Sequence, residues 1–448
     1  MSHDAIRYAI SPDAKEYGEN RHRDPQALHL VTYLLQPRTM AAILVFSCAE
    51  SYTQLMSQLY LPAFFVHTLS AILLPYLQII LRNHGFSHGS TGMLLGLFEA
   101  VGIISPFVIA QAADRTGKYR RVLILVTLGT LAAAVPFSLI GQIAAVTISI
   151  SALAWFFRPL WPIQDAMLMH RVGNDLWKYT KLRSFGTLGF ISFSLFFQFS
   201  GTLDVQDNRS FLLWIAISCL LYIGSVAILK PDVPLSAEEK LAGTRRFWRH
   251  KGEPPLFGKK LLLGISVIAM NRLSMASITN FFSLYVTEDL GRGDLVSVLM
   301  AISATSEILF MLLAGRMLRA GVRPILLIGA SSFGLCLRLM TYVLVPTLGG
   351  AVVGQLFHSL VYGLFHPAAI MFVNNNVEVR HRSMGMALYT SIGIGLPTVV
   401  GAAIGGYVIE GYGYGGLFAS YTLFAITSLG MIVLFRRTLM KRALAQGS

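Results

Sequence analysis

Four arginines stand inside long apolar runs, where charge is costly: Arg158, Arg183, Arg272 and Arg338. At the centre of a membrane helix such a residue costs roughly 2.5 to 3.5 kcal/mol on insertion scales, so it faces a water-filled cavity or an ionic partner. Three acids lie at similar depth, Glu99, Asp165 and Glu307. Adjacent helices joined by a short turn can bring a carboxylate and a guanidinium face to face, each offsetting the desolvation of the other. Asp165 and Arg183 are placed for that. Arg158, seven residues before Asp165, falls on the same helical face and is expected to neutralise it. Arg272 is expected near the end of its helix, with its head among the lipid headgroups. Four cations against three acids leave one positive charge over, which favours an anionic solute over a neutral one.

Other polar side chains read more plainly. His358 and His366 are eight apart, about 80° round an α-helix, and no cluster of Cys, His or Asp converges as zinc would require. No metal and no cofactor are expected. His67 reads as a packing histidine, and Glu99 belongs to no motif. Trp155, Phe156, Phe157 and Trp161 suit either stacking on a ring-bearing solute or anchoring at the interface. Gly401 and Gly405 have the spacing that lets helices pack closely.

The elements that must position these residues follow from composition. Of 448 residues 54% are apolar and 13% charged, against about 25% charged in soluble domains, which excludes the soluble classes. Three separated cysteines, Cys48, Cys219 and Cys336, exclude a disulfide framework. A spanning helix needs about 20 mostly apolar residues. Such segments are expected at 58–83, 89–112, 120–139, 142–169, 179–201 and 210–229, and again at 260–287, 292–316, 323–344, 346–374, 381–408 and 413–436. The plan is all-α and polytopic. An amino-terminal extension at 1–57 carries an interfacial helix from about residue 40. A six-helix half covers 58–229, a polar central loop 230–259, a second half 260–436, and a tail 437–448. The first 38 residues are polar and are not a signal peptide.

Alternate loops hold 29 Lys and Arg on one side and three, Arg82, Arg209 and Arg292, on the other. Cytoplasmic loops carry the excess, so both termini and the central loop are expected in the cytoplasm, with the chain in the cell (inner) membrane. That topology accounts for the formal charge of +14 without nucleic acid.

The turn after the second span, Asp114-Arg115-Thr116-Gly117-Lys118-Tyr119-Arg120-Arg121, resembles the loop signature of the major facilitator superfamily, although Ala110 stands where the family has its first Gly. Glycine permits the reversal, and Asp114 at a helix end is expected to pair with Arg or cap the neighbouring helix. The segments Pro159 to Ala166 and Tyr179 to Phe190 resemble the fourth and fifth helices of the phenylpropionate permease, lactose permease and nucleoside-proton symporter branch. The separation of Asp165 from Arg183 matches its sugar-binding pair. In the second half, Arg338 and His358, with Gln355, Tyr362 and His366, are similar to the same branch.

The resemblance implies twelve helices in two halves and a solute bound at mid-depth between them. The solute would touch Asp165, Arg183, Arg158 and Trp161 from one half and Gln355, His358 and His366 from the other, with Arg338 beside a proton site. Two departures matter. Val361 replaces the glutamate of the lactose pattern, so Glu307 becomes the expected proton carrier. Asn271, Arg272 and Met275 stand where that pattern has Tyr and two Asp. The expected activity is secondary transport, proton-coupled, of a small polar organic solute with a lean to an organic carboxylate. The chain would work as a monomer in lipid, with the Asp114 to Arg121 turn as a gate. A sugar or nucleoside symporter, or a sensor that binds without cycling, are the alternatives. Enzyme motifs such as HExxH and GxSxG are missing.

Overall fold

The computed structural model of the chain describes residues 58–172, 176–232, 257–378 and 381–440. The expected extension at 1–57 with its interfacial helix, residues 233–256 of the central loop and 441–448 of the tail lie outside the described residues. Among those described, every regular element is a helix.

Ten helices are long and apolar enough to cross a membrane. In chain order α1 is Gln58–Asn83, α2 His88–Thr116, α3 Tyr119–Leu139 and α4 Ile143–Arg171. Next comes α5, Leu176–Ser200, with 25 residues; Lys178, Lys181 and Arg183 make its first turns less apolar than the rest. Then follow α6 Asn208–Ala227, α7 Lys259–Asp289, α8 Gly293–Arg319, α9 Pro324–Leu344 and α10 Leu348–Asn374. The run Met384–Leu434, 51 residues long, is broken at Gly413, whose φ of 66° and ψ of −174° suit glycine because it has no Cβ to clash. It is two spans, α11 (residues 384–412) and α12 (residues 414–434), turned about one residue where the sequence suggests a short loop. The twelve described spans thus match the expected ones closely.

Local chemistry sets the ends. Ser87 caps α2 by accepting from the Ser90 amide at 3.2 Å, and Gly117 closes it in the left-handed conformation at φ 66°, as helix C-termini require. Pro159 and Pro162 lack amide hydrogens, and α4 is interrupted at Arg158 and Pro159 between α-helical stretches Ile143–Phe157 and Leu160–Arg171. Among the described residues three π-turns occur, at Tyr285–Asp289 in α7, Ser359–Gly363 in α10 and Tyr389–Gly395 in α11.

Large apolar side chains such as Leu125, Ile148, Phe199, Leu344 and Leu434 stand exposed around the bundle, a distribution that only lipid makes favourable. The halves meet through α2 against α11, α5 against α8 and α1 against α7. The first of these is a backbone-to-backbone approach. A Cβ on Gly92 would lie 2.5 Å from the Ala402 carbonyl oxygen, and one on Gly406 only 2.1 Å from that of His88. Gly401 and Gly405 pack instead against Ala276 and Phe281 of α7, the packing role their spacing suggests. Gly406→Ala should therefore destabilise the protein by about 1–3 kcal/mol through overpacking, seen as a lower thermal midpoint. Gly224→Ala, where nothing lies within 4 Å of the new methyl, should not.

Candidate functional site

Each of the four arginines finds a different solution. Arg183 on α5 reaches α1, where its Nη1 donates to His67 Nε2 at 2.8 Å, and His67 Nδ1 in turn donates to the Ala63 carbonyl at 2.9 Å. Those roles define a neutral imidazole with its proton on Nδ1. The approach depends on Gly186, since a Cβ there would fall 2.4 Å from the His67 ring. His67 is thus a buried histidine with both ring nitrogens satisfied, as expected of a packing residue, and it also holds the Arg183 guanidinium. Asp165 on α4 lies 3.9 Å from Arg183 Nε, with 34% and 42% of the two side chains exposed, while the Tyr179 hydroxyl donates to the Asp165 carboxylate. The expected pair is present as a long, partly exposed ion pair.

Arg158 binds Glu99 of α2 in an ion pair and lies 4.8 Å from the centre of the Phe98 ring. Among the described residues it makes no ion pair with Asp165. Arg158 follows the first α-helical stretch of α4 and Asp165 lies in the second, and the arginine turns to α2 instead. Glu99 gains its role from this pair, and Gly102 makes room for the arginine stem. Trp161 sets its edge against Phe157 at 4.8 Å, and the neighbouring Gln164 accepts from the Tyr222 hydroxyl at 2.6 Å.

In the second half Arg338 is fully buried. Its Nε donates to the Tyr342 hydroxyl at 3.0 Å, Nη2 to Gln355 Oε1 at 2.7 Å and Nη1 to His358 Nδ1 at 2.8 Å. A histidine that accepts at Nδ1 carries its proton at Nε2, and that atom faces Glu307 Oε2 on α8 at 3.4 Å. The carboxylate, imidazole and guanidinium therefore form one chain. Below it, His358, Tyr362 and His366 stack in near-parallel planes at 5.5 and 5.9 Å. An uninterrupted α-helix would turn the two histidines about 80° apart; the π-turn Ser359–Gly363 takes up an extra residue and returns them to one face.

Arg272 departs most from expectation. It is the fourteenth of 26 residues in the α-helix Lys259–Leu284 and is 5% exposed, so it is not at a headgroup. Its Nε and Nη2 donate to Asn271 Oδ1 at 3.1 and 2.7 Å, and its guanidinium covers the Phe365 ring at 3.7 Å. The charges of Arg183 and Arg272 both act on Tyr362 and His366. Charged groups of both halves thus lie within electrostatic reach of Tyr362 and His366. Among the described residues no group of three His, Cys, Asp or Glu side chains is arranged to hold a metal ion.

At the arginine-rich end, the turn Asp114 to Arg121 is built around Gly117. Arg115 and Arg121 are exposed, and the Asp114 carboxylate accepts from the Tyr119 hydroxyl at 3.0 Å instead of pairing with an arginine among the described residues. Asp232 gathers this end, accepting from the Arg120 amide at 3.1 Å and from Arg171 at 3.4 Å. At the arginine-poor end the halves are latched. Glu288 of α7 accepts from Arg82 at 2.7 Å, His88 at 2.6 Å and the Tyr414 hydroxyl at 2.7 Å. Glu410 of α11 also accepts from the Gly89 amide at 2.8 Å.

The sequence model described as the MFS_1 like family matches residues 55–420. The chain belongs to that family. This MFS_1-like chain is 23% identical over 363 residues to the uncharacterized transporter YwbF of Bacillus subtilis (strain 168), covering 80% of this chain and 86% of the relative. It is 24% identical over 369 residues to a maltose permease of Geobacillus stearothermophilus, covering 81% and 89%. The solved nucleoside transporter NupG is similar with a TM-score of 0.70 at 18% identity, covering 87% of this chain and all of that one; this likeness concerns the fold. The MFS_1-like chain is a multi-pass membrane transporter of a small molecule, not an enzyme.

Glu288 holds three donors of the latch, two of them from the first half. Glu288→Gln removes the charge that gathers them. Faster amide hydrogen exchange is expected across residues 82–92 and 402–414, with the α6 amides unchanged.

Proposed function

We propose that the chain is a proton-coupled symporter of a small polar organic solute, working by alternating access as a monomer, with lean to an organic carboxylate. The observation that carries this reading is the chain Glu307–His358–Arg338 facing the loose pair Asp165–Arg183. A proton on Glu307 cancels the charge opposite Arg338, and the single imidazole between them passes that change on. The solute takes over hydrogen bonds that Arg183 and Asp165 leave unsaturated, and Gln355, whose buried Nε2 has no partner, offers it a donor from the other half. Trp161 and His366 line the approach. Arg158 serves through Glu99 by holding α2 against α4.

On this reading the arginine-rich end faces the cytoplasm, as the loop charges favour, with both termini there and the chain in the cell (inner) membrane. The latch at Glu288 then seals the outward side, and the turn Asp114 to Arg121 with Asp232 closes the inward side in the opposite state.

Uptake into vesicles of the purified protein tests the reading. A carrier accumulates solute when an inward proton gradient is imposed, whereas a sensor binds without accumulating. Arg183→Lys should abolish uptake, because an ammonium cannot reproduce the planar fork of a guanidinium; undiminished uptake would refute the assignment. Glu307→Gln should stop gradient-driven accumulation and leave solute exchange measurable. A neutral sugar or nucleoside remains the second reading, favoured by the names of the maltose permease and the nucleoside transporter.

A further inference from the structure

We infer that Arg272 is an anion receptor in the second half, which takes the carboxylate of a small organic monoanion; this rests on the carrier reading and locates the charge that sets its substrate class. Three of the four intramembrane arginines have a carboxylate assigned. Arg158 holds Glu99 and Arg183 faces Asp165. Arg338 is linked to Glu307 through one imidazole. Arg272 has neither a carboxylate within ion-pair distance nor a hydrogen-bonded link to one among the described residues, and the one positive charge left over in the sequence count is therefore assigned to it.

Its surroundings hold that cation without neutralising it. The guanidinium lies 3.7 Å from the Phe365 ring centre and 5.5 Å from that of Tyr362, an arrangement that attracts a cation through the ring quadrupole. The titratable groups that feel its charge are Tyr362, Tyr389, His358 and His366, none of them an anion in its ordinary form. Asn271 Oδ1 uses two of the five guanidinium hydrogens, and the other three have no acceptor among the described residues. Asn271 is itself fixed by donating to Ser332 at 2.8 Å, so its oxygen is held on the arginine. A buried ion left this way is completed by an anion that arrives and departs. One uncompensated charge calls for one negative charge on the solute, and the rings beside it suit an apolar or aromatic body attached to the carboxylate.

The experiment uses the purified full-length chain and thermal unfolding, with benzoate, phenylacetate and hexanoate each compared with its primary amide. The wild-type protein should be stabilised by at least one acid and not by the matching amide. Arg272→Gln should weaken the apparent affinity for that acid at least tenfold. Asn271→Asp puts a carboxylate where the amide oxygen already meets the guanidinium. It should raise the midpoint of the ligand-free protein and also remove the acid response, which separates loss of the receptor from loss of the fold. Amides acting as strongly as acids, no response to any of the acids, or an acid response surviving both substitutions would overturn the assignment. Accumulation of a neutral sugar or nucleoside by a wild type that ignores the acids would sink the anion receptor and leave the carrier. Acid binding lost in both variants, without accumulation under any gradient, would keep the receptor and sink the coupling.

Discussion

A guanidinium in a lipid-bounded interior has no neutral form to retreat to, so the protein must give it a partner, and this constraint organises the bundle. Arg158 draws α2 and α4 together through Glu99, Arg183 draws α5 onto α1 through His67, and Arg338 ties α9 to α10 and, through His358, to Glu307 of α8. The apolar contacts around these links are interchangeable in kind. The charged ones are not, because removing one partner strands the other in a medium that cannot solvate it.

The partners differ in how tightly they hold, and the difference tracks exposure. Arg158 and Glu99 are in close contact with 24% and 17% of their side chains exposed, whereas Asp165 and Arg183, in the same half, stand 3.9 Å apart with 34% and 42% exposed. A loose pair costs little to separate. Tight pairs hold each half together while it moves, and loose ones answer to whatever enters.

Much of this was legible in the sequence, because the length of an apolar run and the asymmetry of loop charge are direct consequences of bilayer thickness and insertion. The spacing of Asp165 from Arg183 and of Arg338 from His358 carried through to proximity for the same reason, each pair sitting on neighbouring helices with short turns. What failed was partner and depth. Arg158 pairs with Glu99 of α2 and not with Asp165, because spacing along one helix says nothing of an acid on a neighbouring one, and Arg272 proved central because hydropathy locates a span better than it locates a residue's depth within it. His67 was opaque, its partner lying 116 positions further on; Gly186, three residues after Arg183, was the one local sign of close approach. No pattern in the sequence marked the π-turn that realigns His358 with His366.

Those π-turns divide the chain unevenly. All three among the described residues lie in the second half, one at the latch carboxylate Glu288, one in the histidine ladder and one at Tyr389 beside Arg272. A wider turn with one extra residue is a dislocation in the helical lattice, and it can shift along the rod by exchanging one backbone hydrogen bond at a time, without melting the segment. The first half, whose spans are interrupted at residues 74–76 and at Arg158 and Pro159, has no π-turn among its described residues. The second half supplies the compliance, with its slack stored at the places where ions change hands.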